Sequence, residues 1–442
     1  MISITLTKSE AIFAVFIEIP YNGFIMVKEE AVLAIKKKLV GKKLNYQEIF
    51  TLMDEIARHR LGPILTTYFV AASFKKGFSG EELYHFTKAM AETGERLHFK
   101  GIVADKHSTG GVAGTRTTMI LVPIVAAAGI KIPKNSSRAI TSPAGTADVM
   151  EVLAPVTFTP RQIEKIVGKT NGCIVWGGHL GLAPADDIII QVEEPLAFES
   201  FDKIIISVMA KKVASGATHV VLDIPVGPTM KITHMKDAED IVEKFKKLAE
   251  KFKIKMVTDI NQTLEPAGRG VGPVLETRDV LMVLEQRPNR PLALEAKALR
   301  LSGELLNLCF ADLREMVKMG DGEEVARQIL KDGRALKKMR EIIKIQGGDP
   351  DIESRKLKLA KEKVEVRAKE KGKIIAIDNR QMNTIAKILG CPADKKAGLY
   401  LEKRLEEKVD KHDILFTMYS SDKWRLKETM DSLVNLPIYK IE

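Results

Sequence analysis

Between residues 27 and 97 apolar side chains recur every three or four positions, the spacing of amphipathic helices, in four segments broken at Gly41, at Leu61-Gly62-Pro63 and at Gly77-Phe78-Ser79-Gly80. The last segment opens on Ser79 or Gly80 ahead of Glu81-Glu82 and stops before Lys100-Gly101, so a small helical domain is predicted over 27–98. After Gly101 the texture changes. Short apolar runs at 102–104, 173–176, 218–224 and 255–260 alternate with helix-length stretches, which predicts a mostly parallel central sheet with crossover connections over 99–345. The stretch 187–215 is helical again, with apolar Ile204, Ile205, Val208 and Val213. It interrupts the sheet pattern and is expected to complete the helical domain, leaving a cleft between the two domains. Gln346-Gly347-Gly348-Asp349-Pro350 reads as a linker, and beyond it a strand at 374–377 and a helix at 381–389 predict a small C-terminal α+β domain over 346–442. The fold class expected is therefore α/β with α+β, in three parts. No internal repeat or low-complexity tract is present.

Composition narrows the class. Hydrophobic residues make up 45% of 442 and charged ones 29%, and no apolar run reaches the roughly 18 residues of a membrane span, so a soluble, cytoplasmic protein is expected. Cys173, Cys309 and Cys391 lie far apart without a CxxC, which excludes a sequence-local zinc site and suits a reducing compartment. No metal or cofactor is expected. The net charge of +11 sits largely in 331–373 among glutamates, the mark of solvated helix faces, and the few aromatic residues do not alternate with basic ones as a nucleic-acid stacking platform requires. Residues 1–26 form an extension of uncertain role. Their apolar run 11–17 is flanked by Glu10 and Glu18 with no small-residue cleavage site after it, which fits a strand or hairpin better than a secretion signal.

The chemistry concentrates in residues 105–118, DKHSTGGVAGTRTT, between a strand end and the apolar run 117–128 of a buried helix. Glycines let backbone N–H groups approach an anion, a helix N-terminus adds a partial positive charge, and Lys106 adds a full one. Gly110-Gly111 alone would equally suit any glycine-rich turn of an α/β protein. The spacings GxxxxGK[ST] and GxGxxG are both absent, so this is neither a nucleoside-triphosphate loop nor a dinucleotide turn. A second stretch, NSSRAITSPAGTADVME at 135–151, offers hydroxyls and the Arg138 guanidinium ahead of an apparent helix. By itself it reads as a capped turn. Two such loops at the ends of neighbouring strands favour an anion site, and inorganic phosphate needs this balance of many donors and few carboxylates.

KHSTGG at 106–111 together with SSRAITSPAGTADVME at 136–151 resembles the signature pair of the thymidine and pyrimidine-nucleoside phosphorylase family. The resemblance runs from about residue 27 to the C-terminus. It implies a homodimer that phosphorolyses an N-glycosidic bond, with inorganic phosphate as co-substrate and a small-molecule nucleotide or nucleoside as partner. It places phosphate on Lys106, Ser108, Gly110, Thr117, Ser136 and Thr146, and it sets Ser207 and Lys211 of SVMAKK against the base. The arginine that completes the pyrimidine pocket in the family is missing, since Val192-Glu193-Glu194-Pro195-Leu196 stands there.

WGGHLGLAPADD at 176–187, the VEEPL segment and DIPVGPTMK at 223–231 resemble instead the archaeal-type branch that includes AMP phosphorylase. That likeness implies nucleotide contacts from Gly111, from Ser137, Arg138, Ala139, Ile140, Thr141 and Ser142, and from Ser207 and Lys231. It puts Glu199 at the place of an acidic proton donor, with His107 as a second proton donor or orienting group. Phosphorolysis of a nucleoside 5′-monophosphate, AMP to adenine and ribose 1,5-bisphosphate, is the leading expectation. Phosphorolysis of thymidine or another pyrimidine nucleoside is the alternative. The branch usually carries a full N-terminal assembly domain, for which residues 1–26 leave no room, so a dimer is expected rather than a larger assembly.

Overall fold

The computed structural model describes residues 27–140, 142–193, 200–313 and 320–442. Four helices come first: α1 (Glu29–Leu39), α2 (Tyr46–Ala57), α3 (Gly62–Lys76) and α4 (Gly80–Glu92). Their starts are written in the sequence. Asn45 and Ser79 each accept a hydrogen bond from the backbone N–H three residues on, while Glu48 and Glu82 reach back to the cap, so two orphan donors are satisfied at each end.

The chain then enters the α/β domain through β1 (Ala104–Ser108), α5 (Thr118–Ala127), β2 (Ile132–Ser136), α6 (Thr146–Met150), α7 (Pro160–Thr170) and β3 (Gly172–Trp176). Two helices, α8 (Pro184–Glu193) and α9 (Phe201–Ala214), pack back on the first four, with Ala185, Ile189, Ile206, Ala210 and Ala214 in the same apolar core as Ile49, Leu52 and Phe86. β4 (His219–Val226), α10 (Met235–Lys251) and β5 (Lys255–Gln262) resume the sheet. β6 (Gly270–Val271), α11 (Pro273–Leu284), α12 (Leu292–Phe310), α13 (Gly322–Lys331) and α14 (Arg334–Ile345) close the domain.

All strand pairs of the central sheet are parallel. β1, β4 and β5 are hydrogen-bonded in that order, β2 pairs with β3, and a bridge from Val103 to Lys131 joins the two pieces. Every carboxyl end therefore points to one edge, where ligands of such sheets bind. α5 is buried from Thr118 to Ala126 between this sheet and α12 to α14, which explains its lack of a polar face.

β1 does not end where the apolar run 102–104 ends. It continues through Asp105, Lys106, His107 and Ser108, pairing Ser108 with Asp223, so the start of the glycine-rich stretch is strand rather than loop. Polar residues can occupy this buried strand because each charge meets an opposite one, as described below.

The C-terminal part comprises β7 (Glu362–Arg367), β8 (Gly372–Ile377), α15 (Asn379–Ile388), β9 (Gly398–Leu401), β10 (Lys408–Val409), β11 (Ile414–Ser420), α16 (Lys423–Ser432) and β12 (Tyr439–Ile441). Its two sheets, ordered β6-β9-β11-β7 and β10-β8-β12, are antiparallel throughout. The first of them borrows β6 from the α/β domain. The molecule is thus a helical bundle, an α/β domain with a parallel sheet, and a C-terminal domain with antiparallel sheets. Among the described residues no helix is long and apolar enough to cross a membrane.

Candidate active site

Lys106 lies on β1 with its side chain almost wholly buried, and its Nζ donates to Asp223 Oδ2 on β4 at 3.3 Å. Asp223 also faces Lys297 Nζ at 3.0 Å and accepts from Asn261 Nδ2 at 2.9 Å. Burial alone would raise the Asp223 pKa, yet Lys106 and Lys297 hold it down at about 2. Burial pushes the Lys106 ammonium below its usual range, with Asp223 opposing and Lys297 adding to the push. Two cations on one carboxylate leave a net positive charge at the end of β1.

Behind it sits a second charged knot. Asp105 is fully buried between Lys134 Nζ, 3.2 Å from Oδ1, and Lys212 Nζ, 2.5 Å from Oδ2. Burial lowers the Lys212 pKa to about 7 against the pull of Asp105. His107 comes next on the strand. Burial first, then the fields of Lys212, Lys134, Lys106 and Lys211, hold its imidazole well below its ordinary pKa, so it is neutral at pH 7. A neutral ring offers one donor and one acceptor rather than a charge.

The stretch after β1 turns on Gly110 and Gly111, both left-handed with φ +82° and +83°, a conformation that glycine adopts without strain. A Cβ at Gly111 would also lie 2.9 Å from Lys231 Cγ, so the stem of Lys231 packs directly on that backbone. Ser108 Oγ accepts from Gly110 N at 3.4 Å. Three buried polar atoms, Thr109 Oγ1 just after β1, Thr117 Oγ1 at the start of α5 and Asn135 Nδ2 on β2, have no hydrogen-bond partner among the described residues. Buried polar groups are normally paired, so these atoms, near the carboxyl ends of β1 and β2, could exchange hydrogen bonds with a polar guest.

The second loop is folded around Asp148. Its Oδ2 accepts from Ala139 N at 2.7 Å and Gly145 N at 2.8 Å, and its Oδ1 takes Arg138 Nη1 at 3.0 Å. A Cβ at Gly145 would collide with the Ser137 carbonyl. Arg138 is further held by Glu151, 2.6 Å away, and stacks 4.8 Å from the Trp176 ring centre. Its guanidinium therefore shapes the loop, while Ser136 at the end of β2 and Thr146 at the start of α6 border the same edge. Ser142 Oγ donates to Ala144 O at 2.9 Å, and Ile140 is exposed. Arg116 ties the two loops together, donating to Ala144 O at 2.6 Å and pairing with Glu276.

α9 carries Lys212 to Asp105 and bears two more of the predicted residues. Ser207 Oγ donates to Asp186 Oδ2 at 2.8 Å and Lys211 Nζ lies 2.6 Å from the same oxygen. Burial would lower the Lys211 pKa, but Asp186 and Asp187 raise it. Burial, reinforced by Asp186 and opposed by Lys211, lifts Asp187 to about 6. At the end of α8 Glu193 pairs with Lys203. Glu199 and Thr141 fall outside the described residues, as does the extension 1–26.

Sequence reasoning did not single out Arg116, Asp186, Asp223 or Lys297. Asp223 had a visible signal, a carboxylate inside an apolar strand run that ends at a glycine-proline loop. Lys297, in the middle of LEAKALR, had none.

A family model described as the glycosyl transferase family a/b domain matches residues 100–336, more than half of the chain. The chain belongs to the glycosyl transferase family. The helical bundle domain of the same family matches 32–94, and a pyrimidine nucleoside phosphorylase C-terminal domain matches 373–439. Relatives named AMP phosphorylase include one from Thermofilum pendens, 45% identical over 89% of this chain and 75% of its own length. Another, from Methanococcus vannielii, is 43% identical over 92% of this chain and 79% of its own. A putative thymidine phosphorylase from Legionella pneumophila is 40% identical over 91% and 76%. Among solved structures, anthranilate phosphoribosyltransferase from Thermus thermophilus shares the fold, with TM-score 0.57 over 71% of this chain and 99% of that one at 16% identity. This glycosyl transferase family chain is thus an enzyme of the nucleoside and nucleotide phosphorylase group, and its substrates are small molecules.

Proposed function

We propose that this enzyme phosphorolyses a nucleoside 5′-monophosphate, converting AMP and inorganic phosphate to adenine and ribose 1,5-bisphosphate. The observation that carries the phosphate half is the set of orphaned buried donors, Thr109, Thr117 and Asn135, beside the net positive end of β1. Lys106, Ser108, Gly110, Thr117, Ser136 and Thr146 hold phosphate in this reading, and one of its oxygens forms the bond to C1′ as the bond from C1′ to the base nitrogen breaks. The electron pair leaves with the base, which takes a proton. Glu199 supplies that proton, a role that rests on the resemblance of its segment. Neutral His107 orients rather than protonates, because its depressed pKa leaves it no proton to lend as a cation. Fixed charge and orientation supply most of the rate.

The nucleotide half is supported by Lys231 packed on Gly111 of the phosphate loop, and by the sequence at 192–196, which lacks the arginine of the family's pyrimidine pocket. Gly111, the loop 137–142, Ser207, Lys211 and Lys231 contact AMP in this reading. The relatives named AMP phosphorylase support it too. Thymidine is the second reading, favoured by Ser207 and Lys211 side by side on Asp186 and by the relative named thymidine phosphorylase. Purified protein incubated with phosphate and, separately, AMP, CMP, UMP, thymidine and uridine decides between them: release of adenine from AMP supports the first, and release of thymine alone overturns it. We further propose a homodimer, seated on the exposed apolar side chains Leu33 of α1 and Ile64 and Tyr68 of α3.

A further inference from the structure

One helix of the C-terminal domain, α15, reaches across to the substrate loops. Asn379, the first residue of α15, is almost fully buried and uses both ends of its amide on the glycine-rich loop. Its Oδ1 accepts from Ala113 N at 2.9 Å and its Nδ2 donates to Gly111 O at 2.5 Å. Asn383, one turn on, donates from Nδ2 to the same Gly111 carbonyl at 3.2 Å. The backbone N–H of Asn379 donates to Thr229 Oγ1 at 3.3 Å, and Arg380 Nη2 to Met230 O at 3.1 Å. Lys387 Nζ donates to Ile140 O at 2.8 Å. One helix thus grips the loop after β1, the loop after β4 and the loop after β2.

Two successive left-handed glycines make a segment that is free to adopt many conformations unless something fixes it. The groups that fix it come from a residue 266 positions away in sequence from Ala113 and 268 from Gly111. We propose that Asn379 is a positioning residue for phosphate: its amide clamps the peptide groups on either side of Val112 and so presets the Gly110-Gly111 backbone in the shape that receives the anion. Lys387 acts in parallel on the loop 137–142, on the nucleotide side. The inference rests on the phosphorylase reading for its kinetic consequence, but the clamp itself is a statement about the loop alone.

The test uses the full chain carrying Asn379→Ala, Asn379→Ser or Asn379→Asp. The aspartate keeps the acceptor for Ala113 N–H and turns a carboxylate toward the Gly111 carbonyl. Losing a buried hydrogen-bond pair of this kind is expected to raise KM for phosphate about tenfold or more, with KM for the nucleotide and kcat at saturating phosphate changing less than about threefold. Lys387→Ala should show the reverse split, with KM for the nucleotide rising more than that for phosphate. Hydrogen exchange of the 108–113 amides, without substrate, should quicken about tenfold in Asn379→Ala and Asn379→Ser, with the melting temperature lowered by no more than a few degrees. A phosphate KM within twofold of the wild type overturns the proposal, as does an equal rise in both KM values together with a lower melting temperature. If the wild type releases no base from any nucleotide or nucleoside, the phosphorylase reading fails, and the exchange result still decides the clamp. Unchanged exchange overturns it.

Discussion

Lys106 and Asp223 meet across two adjacent parallel strands, Nζ 3.3 Å from Oδ2, with both side chains withdrawn from water. A buried pair is costly to assemble and far more costly to halve, because the survivor keeps its charge without a partner. Here the carboxylate answers two ammonium groups, Lys106 and Lys297.

Asp223→Asn should therefore destabilise the fold by about 3–5 kcal/mol, read by urea unfolding at pH 7. The double variant Asp223→Asn with Lys297→Met should recover part of that loss. If the single variant costs under about 1 kcal/mol, the lysines are not charged in the folded state.

Thr117→Val makes the opposite prediction for stability and function. The Thr117 hydroxyl is buried with no hydrogen-bond partner among the described residues, so replacing it by a methyl should leave the apoprotein as stable or raise its stability by about 1 kcal/mol. Phosphate should then protect the variant less: thermal melts with and without phosphate should show a smaller shift than the wild type. An equal shift in both proteins removes Thr117 from the anion site.

Asp187 gives a pH signature. Its folded pKa of about 6 lies above the ordinary carboxylate value, so the native state binds the extra proton between about pH 4 and 6 and loses stability as pH rises through that window. Asp223 acts with the other sign. Its folded pKa of about 2 lies below the unfolded value, so its contribution is present above about pH 4 and is lost as pH falls toward 2. Asp187→Asn should flatten the slope between pH 4 and 6 and be more stable than the wild type at pH 7. Denaturant titrations at several pH values check both, and a parallel pH curve for the variant rules out the Asp187 assignment.

Gly111→Ala should cost about 1 kcal/mol from the left-handed backbone alone, with a further loss because the new methyl must displace the Lys231 stem. The kinetic effect should exceed the stability effect, with KM rising for both phosphate and nucleotide. Gly101→Ala, also at positive φ but with open space around its Cβ, should show only the backbone cost.

The helical domain and the parallel sheet were legible because their apolar spacing reports burial directly: Ile49, Leu52 and Ile56 mark one helix face, and Val220, Val221 and Leu222 a strand buried on both sides. Caps such as Ser79 were equally plain. What escaped was the strand character of DKHS. A pattern of apolar and polar residues treats Asp105 and Lys106 as surface, whereas their charges are answered by Lys134, Lys212 and Asp223, far off in sequence. The loops around Lys106 and Arg138 stood out through glycine and hydroxyl content. Asp148, which shapes the second loop, lay inside the motif at 136–151, whereas Arg116 and Lys297 are ordinary loop and helix residues until the chain is folded.

β6 contributes Gly270 and Val271 to a sheet whose other strands all lie beyond residue 361, pairing Gly270 with Tyr400 and Val271 with Leu399. The chain is made from its N-terminus, so this two-residue strand leaves the ribosome long before its neighbour exists. The α/β domain can form early, but it must carry an unfilled edge until β9 arrives. A fragment cut between Gly347 and Gly348 would part the sheet from its edge strand, so the C-terminal segment is a late-closing seal on the enzyme rather than a module that can be detached from it.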